Sequence, residues 1–94
     1  MASVTVRFYS LWRAHLGMDS TELQADSTDD ALAQLEERFG AHVRERLAAE
    51  GIHLDGKLQD YSLVLLNGTN LRNLANTELK EGDVLHIFPR AMGG

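Results

Sequence analysis

The 94-residue sequence contains no cysteine. It therefore builds no disulfide framework and no thiolate metal site, holds no persulfide, and offers neither a cysteine nucleophile nor a dithiol redox couple. Proline occurs once, at Pro89, and aromatic residues make up only 6% of the chain, so few rings are available to a core or a surface. No basic run exceeds two residues, and the formal charge is −5. That balance argues against a surface that tracks nucleic-acid phosphates. No stretch approaches the length of a membrane span, and "MASVTVRFYS" lacks the basic-then-apolar pattern of a signal peptide. The expected location is the cytoplasm, with no nucleic-acid or membrane partner. Lysine is scarce too: Lys57 and Lys80 are the only two among nine basic residues.

What is present reads as one domain with a single modest core. "SVTVRFYS" alternates, with Val4, Val6 and Phe8 on one face and Thr5, Arg7 and Tyr9 on the other, so it predicts a first strand. "LWRAHLGMD" is expected to connect it, turning at Gly17, to a second strand over "STELQAD". "DSTDDALAQLEERFG" predicts the main helix. Ser27 stands three before Asp30 as a loose capping box, Leu32, Leu35 and Phe39 form the apolar stripe, and Gly40 is the expected stop. "AHVRERLAAEG" predicts a short second helix with Val43 and Leu47 inward, and "IHLDGKLQD" a loop. "YSLVLLNGTNL" contains Asn67-Gly68, the strongest short hairpin signal, between a strand at 61–66 and a short one ending near Leu71. "DVLHIFPR" predicts the last strand over 84–88. Leu85 and Ile87 share one face, and Val84, His86 and Phe88 the other. One helix covers one face of a sheet, so the first and last strands become central parallel neighbours. The fold class is α+β: a β-grasp with a mixed sheet of four to five strands.

A self-contained active site is missing from this pattern. His15, His42, His53 and His86 show no metal-ligand spacing and read as scattered surface histidines. Asp29-Asp30 and Glu36-Glu37 read as the solvated face of the helix. No phosphate-cradling glycine motif occurs, and Ser10, Ser20 and Ser62 lack a nucleophile-elbow context. Leu11 and Trp12 read either as edge packing under the first hairpin or as an exposed recognition pair, with packing favoured. Tyr9 and Phe88 fall on outward faces of adjacent strands. They read as an aromatic anchor for partners, or as a pair covered by a loop.

The chemistry-bearing feature is the last stretch, "LKEGDVLHIFPRAMGG". Together with "YSLWRAHLG" and "VLLNG", it resembles the ThiS/MoaD-type sulfur-carrier family, ubiquitin-like β-grasp proteins. Gly82, Asp83, Leu85, Ile87, Phe88 and Pro89, followed by a short tail to Gly93 and Gly94, carry the resemblance most specifically. The tail Pro89-Arg90-Ala91-Met92 departs from the family's frequent Pro-Pro-Val, and residues 41–61 lengthen the chain relative to the shortest members. The division implied is a β-grasp domain over 1–88 and a flexible tail over 89–94.

The resemblance implies that the Gly94 carboxylate is the working group and Gly93 its slender neighbour. An E1-like adenylating enzyme would activate it with ATP. A sulfurtransferase or cysteine desulfurase would supply sulfur, giving a C-terminal thiocarboxylate. Tyr9, Phe88, Pro89, Arg90 and Met92 would contact partners, and no permanently bound cofactor or metal is expected. The acceptor would be the large subunit of molybdopterin synthase or an equivalent enzyme. Three alternatives stay open: a sulfur carrier for thiamine or cysteine synthesis, a ubiquitin-like modifier joined to lysines through Gly94, and a plain interaction domain.

Overall fold

A computed structural model describes residues 1–90 of the chain. The elements run β1 (Ala2–Phe8), α1 (Ser10–Leu16), β2 (Ser20–Ala25), α2 (Thr28–Leu35), α3 (Ala41–Ala49), β3 (Ser62–Leu66), β4 (Thr69–Asn70) and β5 (Val84–Pro89). The sheet order is β2-β1-β5-β3-β4. β1 and β5 are parallel at its centre, and the remaining neighbours are antiparallel. This is the β-grasp arrangement expected from the sequence. Among the described residues no helix is long and apolar enough to cross a membrane.

The alternation of β1 and β5 places Val4, Val6, Phe8, Leu85 and Ile87 inside, beneath the helical layer. Asn67 and Gly68 both take positive φ, at 49° and 95°. That backbone matches the strand twist and closes the β3-β4 hairpin in two residues. Ser27 starts α2 by accepting the Asp30 N–H at 3.1 Å, while the Asp30 carboxylate accepts from Asp26 N–H at 3.2 Å.

The helix departs from expectation in two ways. Its buried stripe is Thr28, Ala31 and Leu35, whereas Leu32 and Phe39 are only partly buried, Phe39 lying edge-on to Phe8 at 5.7 Å. It also does not stop at Gly40. A π-helical segment, Glu36–Gly40, carries α2 directly into α3, and Gly40 keeps right-handed helical angles. The second helix is thus a continuation of the first. In an unbroken α-helix Val43 would sit about 80° off the Leu35 stripe at 3.6 residues per turn. The wider π turn recovers that angle and brings Val43 and Leu47 into the core. A Cβ at Gly40 would overlap the Glu36 carboxylate and push it from its present position.

That carboxylate is not a solvated surface group, as its place in Glu36-Glu37 suggested. It receives Arg44 through both oxygens, at 2.8 and 3.1 Å, and the Leu58 N–H at 2.8 Å. The Arg44 guanidinium holds the Glu36 carboxyl below the usual carboxylate range. Burial opposes the shift and the Leu58 amide reinforces it. The contact ties the "IHLDGKLQD" segment to the helix, and that segment ends in a 3-10 turn, Leu58–Tyr61, that buries Leu58.

Residues 10–16 form a helix rather than a plain connection, ended by Gly17 at φ 70°. Trp12 is fully buried in the core, which settles the choice in favour of packing. His15 is buried as well, contrary to the expectation for a surface histidine, with Nε2 3.2 Å from the Glu50 carboxylate.

Candidate functional site

The site is the open face of the sheet where β5 ends. Tyr9 follows β1 directly, and its N–H still donates to the Ile87 carbonyl at 3.1 Å. The chain then turns sharply at Ser10, φ 52°, into α1. This fixes Tyr9 beside Phe88, continuing the parallel register in which Arg7 faces His86. The two rings stack with centroids 4.3 Å apart. The Tyr9 hydroxyl lies 2.7 Å from His86 Nδ1, and the rings of those residues are 5.8 Å apart.

Across the other side of β5, Leu63 pairs with Phe88 and Leu65 with His86. Two rows therefore cross the open face: Leu63-Phe88-Tyr9, then Leu65-His86-Arg7. Cβ atoms in directly paired positions approach within about 5.5 Å, so each row is a contiguous strip. Tyr9, Phe88, His86, Leu63 and Leu65 are half-buried. Tyr9 and Phe88 lie on the outward face as expected but are half-buried, since each ring shields one face of the other. No loop is needed to account for their burial.

Pro89 is not outside the strand. It stands opposite Ser62 in the β3 ladder, so β5 runs one residue past the expected end. Arg90 N–H donates to the Tyr61 carbonyl at 2.9 Å, so even-numbered residues of β5 bond β3. The donor that Pro89 lacks would face the Tyr9 carbonyl on the β1 side, and that carbonyl accepts from the Trp12 N–H at 3.2 Å, so proline strands no acceptor there. Tyr9, Phe88, Pro89 and Arg90 are thus gathered at one end of the sheet, the end from which the last four residues continue. Met92, Gly93 and Gly94 lie outside the described residues.

His86, Leu63 and Leu65 were not singled out as site residues. The signal for the leucines was the unbroken "LVLL" of β3, which gives a strand apolar on both faces. Half of that run had to point away from the helix. Among the described residues no three His, Cys, Asp or Glu side chains come together as metal ligands. The face has an apolar centre, one histidine and one arginine row-end.

Fold and face together define a ubiquitin-like β-grasp protein with an aromatic patch beside the end of β5. The ThiS family model matches residues 13–94, and the chain belongs to that family. Small archaeal modifier protein 1 of Methanosarcina acetivorans is similar over 100% of this chain and 98% of its own, at 25% identity and a TM-score of 0.69. The complex of subunits 1 and 2 of the molybdopterin-converting factor from Helicobacter pylori contains a chain 26% identical, with a TM-score of 0.59, covering 98% of this chain and 99% of that one. The BexX/CysO complex of Amycolatopsis orientalis contains another, 26% identical, with a TM-score of 0.61 and coverage of 97% and 99%. A search of curated protein sequences finds no match. These relatives include a modifier and proteins seen in complex with a partner, so the class is that of ThiS-type carriers and modifiers.

Proposed function

We propose that the protein is a sulfur carrier whose Gly94 carboxylate is adenylated and converted to a thiocarboxylate, acting as the small subunit of a molybdopterin synthase. The observation that carries the reading is that the ThiS-family match runs through residue 94 and so includes Gly93-Gly94. A carboxylate resists nucleophiles because of its resonance and charge. An adenylating partner would join it to the α-phosphate of ATP, releasing pyrophosphate. Sulfide, or the terminal sulfur of a partner's persulfide, then displaces AMP. In the persulfide case a second thiol cleaves the S–S bond and leaves the thiocarboxylate. This chain supplies no cysteine to that sequence, so it does not compete for the sulfur. Catalysis belongs to the partners, and the Tyr9-Phe88 face would hold the chain on them while the slender Gly93-Gly94 end enters a narrow channel.

The similarity to a small archaeal modifier supports a second reading, in which a lysine amine replaces sulfide as the nucleophile. Intact mass of the chain produced beside its adenylating enzyme separates the two. A gain equal to one oxygen exchanged for sulfur is the expected result. Targets linked through Gly94, with no such gain, would establish the modifier instead. An acceptor assay with the molybdopterin synthase large subunit then tests the pathway against thiamine and cysteine synthesis.

A further inference from the structure

The two edges of the sheet are finished differently. On the β2 edge the outward carbonyls of Gln24 and Glu22 accept from the side chains of Gln34 and Arg38, at 2.7 and 3.5 Å. The helix layer thereby covers backbone groups that would otherwise template another strand. On the β3 edge, β4 pairs only with Leu65 and Leu66, and the chain then leaves in a 3-10 turn, Leu71–Asn73. Tyr61 accepts from Arg90 and Asn67 donates to Val84, so odd-numbered residues of β3 bond β5 and even-numbered ones turn to the open side. The Ser62 amide is taken by the Gln59 carbonyl. The Val64 carbonyl faces the Leu71 N–H beside the Leu65–Asn70 pair, while no bond from the Ser62 carbonyl or the Val64 N–H to a turn or loop occurs among the described residues.

These groups line an open cleft of about 270 Å³ with Leu32, Leu71, Arg72 and Arg90 on its walls. Neither arginine has a carboxylate within ion-pair distance among the described residues. The acid of the cleft, Asp60, is engaged by the Lys57 N–H at 2.9 Å.

We propose that this cleft is a peptide-binding site, in which an extended acidic segment of a protein partner adds to the sheet beside Ser62–Val64. One backbone donor, Val64 N–H, and one acceptor, the Ser62 carbonyl, in strand geometry select a strand, because an extended chain presents the matching groups. Two guanidiniums beside one engaged carboxylate select acidic side chains, since each fork can donate two N–H bonds to a carboxylate. Leu32 and Leu71 offer an apolar rest for the residue between them. The added strand is short, because the Leu58–Tyr61 turn closes one end and β4 the other. Arg90 also borders residues 91–94, so a partner gripped here holds the root of the tail. Nothing in the cleft uses Gly94, and the site stands apart from the sulfur-carrier reading.

The test uses the full chain and a fluorescein-labelled Asp-Val-Asp-Val-Asp peptide, read by anisotropy. The acidic peptide is expected to bind at least tenfold more tightly than its Lys-Val-Lys-Val-Lys counterpart. A copy N-methylated at alternate amides, with charge unchanged, should lose binding. Hydrogen exchange at the Val64 amide should slow when the acidic peptide is present. Arg72→Glu should weaken binding at least tenfold and Arg72→Lys much less, with both melting as the parent does. Deleting Gly94 should leave peptide affinity unchanged while abolishing thiocarboxylate formation. No binding of the acidic peptide, equal binding of the acidic and basic peptides, equal binding of the N-methylated copy, or unchanged Val64 exchange would overturn the site.

Discussion

The rings of Tyr9 and Phe88 stack with centroids 4.3 Å apart and planes 12° apart, one from the end of β1 and one from the end of β5. The stack exists because those strands are parallel neighbours and both aromatics fall on the face away from the helix. It sits where the tail leaves, so a partner that handles the tail meets it. Removing either ring should cost binding to the adenylating enzyme or the acceptor by more than tenfold, as central aromatic anchors do. Thermal stability should fall comparatively little. Tyr9→Phe should keep the stack and lose only the hydroxyl contact to His86. Its binding defect should therefore be smaller than that of Tyr9→Ala. Equal partner binding by the wild type and a Tyr9→Ala/Phe88→Ala double variant in titration calorimetry would remove the docking role.

The core offers a graded test of the helix register. Leu35 and Ile87 are buried from opposite layers, whereas Leu32 lies at the rim. Leu35→Ala or Ile87→Ala should destabilise by roughly 2–5 kcal/mol in denaturant unfolding. Leu32→Ala should cost clearly less. Similar losses for Leu32 and Leu35 would contradict the stripe centred on Ala31 and Leu35.

Trp12 donates its indole N–H to Ser62 Oγ at 3.0 Å, and that hydroxyl donates to the Leu58 carbonyl at 2.7 Å. Ser62→Ala leaves the buried indole N–H unpaired, while the Leu58 carbonyl keeps the Tyr61 N–H of its 3-10 turn. The expected loss is about 1–3 kcal/mol for the group so stranded, measured by unfolding. Ser62→Thr, which keeps the hydroxyl, should recover most of it if the methyl is accommodated.

Glu36 gives a pH signature. Its folded carboxyl is held below the ordinary value of 4.5, chiefly by Arg44. A lowered folded pKa means that the unfolded chain binds the proton first as pH falls. The stabilisation is therefore complete above about pH 4.5 and is lost as pH drops through the folded value. Glu36→Gln should be less stable than wild type at pH 7 by about 1–3 kcal/mol, typical of hydrogen bonds to a charged group. The difference between the two proteins should shrink progressively as pH falls below about 4.5. A gap that stays constant through that window would rule out the charge as its source.

Much of this was readable in the sequence because the signals were local. The alternation of β1 and β5, the Asn67-Gly68 turn and the Ser27-Asp30 cap each lie within a few residues. What escaped was decided at a distance. Gly40 reads as a helix stop, yet here it clears space for a carboxylate held by Arg44 and by Leu58, twenty-two residues from Glu36. The "LWRAHLG" stretch reads as a connection, yet Trp12 is anchored by Ser62, fifty residues on. The open β3 edge could not be seen at all, because it depends on how soon β4 stops pairing. The outward faces of β1 and β5 were legible by alternation, but the stacking of Tyr9 on Phe88 needed the parallel register.

The final test concerns Gly93 and Gly94. The last ladder bond described is Arg90 N–H to Tyr61, so deleting Gly94 should leave the melting temperature unchanged. It should abolish transfer nonetheless. One residue fewer draws the carboxylate back by about 3.5 Å along an extended chain. Reacting atoms must approach within about 3–3.5 Å, so the group would fall short of the attacking sulfur. Adding one residue beyond Gly94 should be as damaging, because the activated group would no longer sit at its glycine terminus. Gly93→Val keeps the length but places a stiff β-branched side chain where a narrow channel expects none, and should be intermediate. Rates of adenylate and thiocarboxylate formation, followed by mass spectrometry, rank the three. If all three matched the wild type, the sulfur-carrier reading would fail while the fold and the docking face remained.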